Sequence, residues 1–114
     1  MRRYNLTSRL VATSLALTAM TAMARADAID GQWCDSKGRS FKIDGPTIVT
    51  PGGTTMTGDY DRHGFTYVAP AADPDAGQTV IMQLFGDDDL SLTKGLAGSA
   101  RSQPEQWRRC NVTS

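Results

Sequence analysis

Histidine is almost missing from these 114 residues, with His63 the only one, and cysteine occurs only twice, at Cys34 and Cys110. A zinc site needs about four nitrogen, sulfur or oxygen ligands, so this composition gives no basis for one, and no cofactor is implied. There is no G-x-S-x-G elbow, H-E-x-x-H helix, phosphate loop or dinucleotide fingerprint, so the common nucleophile and nucleotide chemistries have no signature here. No apolar run reaches the roughly 20 residues of a membrane-spanning helix. The longest candidate, residues 10–23, is diluted by Thr13, Ser14, Thr18 and Thr21. Acidic side chains are absent before Asp27.

That last absence defines the amino-terminal segment. Arg2, Arg3 and Arg9 precede the apolar run, which ends at Ala24-Arg25-Ala26. A basic head, a short apolar middle and a small-x-small exit are the parts of a secretory signal peptide. The expected division is 1–26 as leader and 27–114 as a single β domain, exported to the periplasm or secreted. A lipoprotein would carry a cysteine directly after the run, and Cys34 comes too late. Tyr4-Asn5-Leu6 after the arginine pair matches a twin-arginine signal poorly. Cleavage removes four of the 12 basic residues and none of the 12 acids, leaving eight against twelve, a charge of −4. A nucleic-acid binder would want a basic face, and an acidic domain is equally unsuited to anionic membrane surfaces. No nucleic acid or membrane anchor is therefore expected as a partner. An envelope or secreted protein is, with the domain itself a monomer.

A domain this small has a thin core margin and commonly carries a staple. Export places two cysteines in an oxidising compartment, where a disulfide is the default. A Cys34–Cys110 bridge would close nearly the whole mature chain, worth roughly 4 kcal/mol in the chain-entropy model.

The mature chain reads as short alternating runs between turn residues, with no helix. They are residues 32–34, 39–43, 47–50, 54–60, 65–68, 79–85, 90–93 and 105–110, with Asp44-Gly45 a strong hairpin signal. Eight such runs predict an all-β, antiparallel up-and-down meander, closed or nearly closed into a barrel, in the manner of lipocalin-like or inhibitor-like folds. An even strand number makes the first and last strands antiparallel neighbours, and the disulfide would tie them. Each cysteine follows a tryptophan, Trp33 by one residue and Trp107 by three, so alternation puts each Trp on the face opposite its Cys. Both indoles should close one end of the core, with the bridge outside or at the rim. Phe41, Ile43, Met56, Met82, Leu84, Leu90 and Leu92 should fill the interior.

The densest ionisable cluster is Tyr60, Asp61, Arg62 and His63. A His beside an Asp can act as a general base, but consecutive residues do not face one another on an extended chain, and the cluster ends at Gly64. It reads first as a solvated hairpin turn and second as a binding surface; no catalytic residue is assigned. Asp87, Asp88 and Asp89 lack the alternating oxygen ligands of a calcium loop. Of Arg108 and Arg109, one should point outward and the other toward the rim, near a carboxylate. Asn111-Val112-Thr113 fits a glycosylation pattern that occurs often by chance. The loops expected to make contacts are 61–64, 69–77 and 95–104, with 69–77 read as mobile.

Ile29-Asp30-Gly31-x-Trp33-Cys34, the segment from Gly38-Arg39 through Ile43-Asp44-Gly45-Pro46 to Pro51-Gly52-Gly53, Gly58-Asp59-Tyr60-x-Arg62-His63, and Trp107-Arg108-Arg109-Cys110 resemble a group of short exported bacterial proteins of unknown function. The resemblance spans almost all of the mature chain and implies export and a β domain, without catalytic residues. A looser, architectural likeness is to the small periplasmic barrels that inhibit secreted proteases or lysozymes; their inhibitory motifs are not recognisable in this sequence. The functional expectation is a non-enzymatic binding module for a macromolecule or envelope component, which includes the inhibitors of secreted hydrolases. A carrier of a small apolar ligand is the alternative, and an enzyme using His63 comes after it.

Overall fold

In the computed structural model, which describes residues 28–110, nine strands form one antiparallel sheet. They are β1 (Gly31–Cys34), β2 (Ser40–Asp44), β3 (Thr47–Val49), β4 (Thr55–Thr57), β5 (Asp59–Asp61), β6 (Gly64–Val68), β7 (Thr79–Leu84), β8 (Asp89–Gly95) and β9 (Glu105–Arg109). The order is β4-β3-β2-β1-β9-β8-β7-β6-β5. Its two outer members, β4 and β5, are consecutive in the chain and separated only by Gly58. The sequence predicts one strand there, and the chain indeed runs on, but it bends so that its first half pairs with β3 and its second half with β6. This shared strand brings the sheet round into a nearly closed barrel.

Gly58 permits the bend because the neighbouring strand comes very close. A Cβ there would lie 2.6 Å from the Phe65 ring and 2.7 Å from the Thr66 carbonyl oxygen. Its N–H still follows the β3–β4 register, donating to the Pro46 carbonyl at 2.9 Å, before the chain turns to β6.

Alternation sets the interior, as strand geometry requires. Trp33, Phe41, Ile43, Ile48, Phe65, Tyr67, Val80, Met82, Leu84, Leu90, Leu92 and Trp107 all point inward and are buried, and Met56 and Tyr60 pack against them half-buried. The predicted central strand β7 carries the longest ladders, five pairs with β6 and six with β8.

β1 and β9 close the remaining gap as antiparallel neighbours, with Trp33 opposite Arg109 and Cys34 opposite Arg108. The Cys34–Cys110 disulfide spans this short ladder with a Cα–Cα distance of 5.1 Å. Both cysteines lie on the outer wall, opposite in sense to the buried tryptophans, as alternation predicts.

The two ends of the barrel are closed differently. At one, here the plug end, Ile29 is wholly buried and its carbonyl accepts the Trp33 indole N–H at 2.9 Å. Arg109 lies 4.4 Å above the Trp33 ring, and its guanidinium donates to the carbonyls of Ala28, Asp30 and Asp87 at 2.7–2.8 Å. The Asp30 carboxylate accepts the Gly45 amide at 2.7 Å and the Tyr60 hydroxyl.

At the other, the loop end, the next inward positions beyond Phe41, Leu92 and Trp107 belong to Arg39, Lys94 and Glu105. They form an alternating chain of charges. Arg39 binds Asp35 at 2.6 Å and Glu105 at 3.0 Å, while Lys94 binds Glu105 and Asp75, each at 3.1 Å. The Arg39 guanidinium also lies 5.0 Å above the Trp107 ring, so the two indoles do not close one end together: the β1–β9 register, with Trp33 opposite Arg109, sets Trp33 toward the plug end and Trp107 toward the loop end.

Candidate functional site

The outer wall is free of the packing constraint that fixes the inner one, so its composition is the better guide to contacts. Around β1, β2, β4 and β9 the outward side chains are polar, among them Gln32, Ser40, Lys42, Thr55, Thr57, Gln106 and Arg108. The β6–β8 side differs. Among the described residues, the large apolar side chains left exposed are Val68 (55%), Ile81 (36%), Phe85 (47%) and Leu96 (56%). Val68 is on β6, Ile81 on β7, Phe85 just beyond β7 on the same outward parity, and Leu96 just beyond β8. The registers Thr66–Ile81–Thr93 and Val68–Thr79–Gly95 run side by side across this face.

The loop 96–104 extends this face at the loop end, and all of its residues are exposed. Its base is fixed: the Ser102 amide donates to the Lys94 carbonyl at 2.7 Å, and the Lys94 amide donates to the Ser102 hydroxyl at 3.1 Å. Arg101 lies across β8 and β7, donating to the Thr93 hydroxyl at 3.0 Å and to the carbonyls of Thr79 and Thr93 at 2.9 and 3.1 Å.

Two of the three expected contact loops meet at this end, since 69–77 joins β6 to β7 and 95–104 joins β8 to β9. The first is better tied down than a mobile loop. The Gly77 amide donates to the Ala69 carbonyl, and the Asp73 amide to that of Pro70, both at 2.9 Å. Asp73, only 6% exposed, accepts the Thr54 hydroxyl at 3.2 Å and packs so tightly on Gly52 that a Cβ there would collide with its carboxylate.

The charged chain beneath the loops holds its members ionised. Burial opposes the charge of Asp35, but hydrogen bonds from the Arg39 backbone and guanidinium outweigh it and hold the carboxyl below its ordinary value. Burial likewise opposes ionisation of Glu105 and Lys94; their mutual hydrogen bond, with Arg39 and Asp75, lowers the former and raises the latter. The Tyr67 phenol is raised by burial and by the nearby negative charges of Asp73 and Asp75.

The third contact loop, 61–64, lies at the opposite end, and the fold does not gather its four candidate side chains. Tyr60 faces inward to Asp30, whereas Asp61 faces outward and accepts the His63 amide at 2.7 Å. Arg62 and His63 form the turn between β5 and β6. His63 is exposed, beside a shallow groove of about 170 Å³ shared with Leu84, Gly86 and Asp87, and its imidazole makes no hydrogen bond among the described residues.

Asp87–Asp89 sit at the β7–β8 turn, where Asp89 lies 3.9 Å from Arg108 and Asp88 lies 3.6 Å from Arg109. Among the described residues no three His, Cys, Asp or Glu side chains are grouped to hold a metal. Arg108 points out and Arg109 to the rim, as expected, although Arg109 chiefly binds carbonyls. The leader and Asn111-Val112-Thr113 lie outside the described residues.

Sequence reasoning missed Val68, Ile81, Phe85 and Leu96 as a set. The outward parity of Val68, Ile81 and Phe85 was available within each run, whereas Leu96, two residues past the inward Lys94, is exposed because β8 has ended; that these strands are adjacent was not available. No family model, curated protein or solved structure matches this chain.

Proposed function

We propose that the chain is an exported, non-enzymatic binding module that engages another macromolecule of the envelope or the medium through the β6–β8 wall and loop 96–104. The observation carrying this reading is that the four large apolar side chains exposed among the described residues all lie on that wall or at its edge. Folding does not require them there; Val68 and Ile81 are diagonal neighbours across β6 and β7, and a gathering of exposed apolar side chains on one wall supports a contact site. The filled interior also favours surface binding over carriage of a small apolar ligand, since Trp33, Trp107, Phe41 and Phe65 occupy it and are at most 2% exposed. The disulfide, and the burial of Ala28 and Ile29 just downstream of the expected cut after Ala26, support export.

An exposed loop fixed at its base and carrying Leu96 suits contact with a cleft, so an inhibitor of a secreted hydrolase is the most specific form of the reading. The test is capture from envelope extract by the oxidised domain, run beside Ile81→Glu and Leu96→Glu. A protein retained by the unaltered domain and lost from both variants, whose folds remain intact, is the expected outcome. Retention by all three, or co-purification of lipid instead, contradicts it.

A further inference from the structure

The contact wall does not end at β6. Asp59 and Asp61 are both exposed and share the outward parity of β5, about 7 Å apart at two residues' spacing. Opposite them lie Thr66 and Gly64 on β6, then Ile81 and Gln83 on β7. Because Gly64 has no side chain, the surface sinks between the strands into an open groove of about 370 Å³.

The polar lining of this groove is dominated by acceptors. Asp59 makes no hydrogen bond or ion pair among the described residues, and Asp61 uses one oxygen on the His63 amide. The Gln83 amide nitrogen is engaged by the His63 carbonyl at 3.2 Å, which leaves its oxygen toward Gly64, 3.9 Å from the position of a Cβ there. Two carboxylates and an amide oxygen thus meet the apolar flank of Ile81, and Val68 continues that flank on the diagonal. Arg101 bounds the opposite margin of the wall, over β7 and β8.

We infer that the partner is a basic protein, which places a lysine or arginine side chain in the β5–β7 groove with its aliphatic stem along Ile81 and Thr66 and its cationic head between Asp59 and Asp61. The inference rests on the binding reading above and specifies its partner class. Lysine and arginine bury their methylene stems on apolar surface while the head stays at a polar margin, and this groove offers those two surfaces side by side. The charge of −4 expected once the leader is cleaved from the formally neutral chain acts in the same direction, speeding encounter with a cationic partner in a salt-dependent way.

The probe is an acetylated, amidated hexalysine peptide, with hexaglutamine as its neutral counterpart, followed by amide shifts of the oxidised domain at low and high salt. The expected result is hexalysine binding that weakens with salt, with shifts centred on Asp59, Asp61, Gly64, Ile81 and Gln83. Asp59→Asn with Asp61→Asn should weaken it at least about tenfold, and asparagine keeps the acceptor that the His63 amide needs. Changing Asp87, Asp88 and Asp89 together to Asn should alter it less than about twofold. Shifts centred on residues 87–89, equal losses in the two variants, equal binding of hexaglutamine, or no binding overturns the inference. Such a failure is separable from that of the binding module: capture that still depends on Ile81 and Leu96 would keep the module and discard the basic partner.

Discussion

The two sides of the barrel wall share one inner pattern and differ in their outer ones, because only one of them adds large exposed apolar side chains to its polar positions. Along β1, β2 and β9 the outward positions are polar and the disulfide spans the closing pair, so this side secures the fold. Along β6, β7 and β8 the ladders are long enough to hold without a staple, and there the outward positions carry Val68, Ile81 and, just past β7, Phe85. The lesson is that residues the core does not need are informative about contacts, and that stability and binding should separate by side.

Removing an inward indole should do the most damage. Trp107→Ala opens a large cavity beneath the ion chain and is expected to cost about 3–5 kcal/mol, much of the total stability of a small domain. Chemical denaturation should show it. Cys34→Ala with Cys110→Ala should cost about 2–4 kcal/mol while leaving the β6–β8 amides the slowest to exchange, because only the β1–β9 side loses its tie.

Lys94→Met is expected to cost about 1–2 kcal/mol, as it leaves Asp75 half-buried without its cation and Glu105 with Arg39 alone. It also changes the pH dependence. Asp35 and Glu105 have folded values below their ordinary 3.8 and 4.5, so their stabilisation is present above those values and is lost as pH falls through the folded ones. Lys94 has a folded value above 10.5, so its share is present below that and is lost as pH rises through the folded value. Urea midpoints should therefore be flat from about pH 5 to 10 and fall below about pH 4, with a shallower acid fall in Lys94→Met. The smallest effect on stability is expected from Ile81→Thr, within about 0.5 kcal/mol, although the same change should weaken capture of the partner clearly.

Much of this arrangement was legible in the sequence. The period-two pattern in 39–43 and 79–85 gave the strands their inward faces, and the positions of Trp33 and Trp107 relative to the cysteines placed the indoles inside and the bridge outside. What stayed hidden depends on residues far apart in the chain. Gly58 looks like any glycine within a strand, and only the closeness of Phe65 makes it the bend that splits one predicted strand into β4 and β5. Asp73 looks like a solvated loop acid, and only Gly52 and Thr54, about 20 positions earlier, bury it. The site was half legible: the loops 69–77 and 95–104 stood out by composition, whereas the wall and the Asp59–Asp61 groove require knowing which strands are neighbours.

The central claim is that one side of the wall is the contact surface. Its most direct test is a photo-crosslinking amino acid introduced in place of Ile81 and, separately, in place of Lys42, in the oxidised domain incubated with envelope extract. The account predicts a discrete protein adduct from position 81 and none from position 42. Adducts from position 42 alone, or equal ones from both, would contradict it.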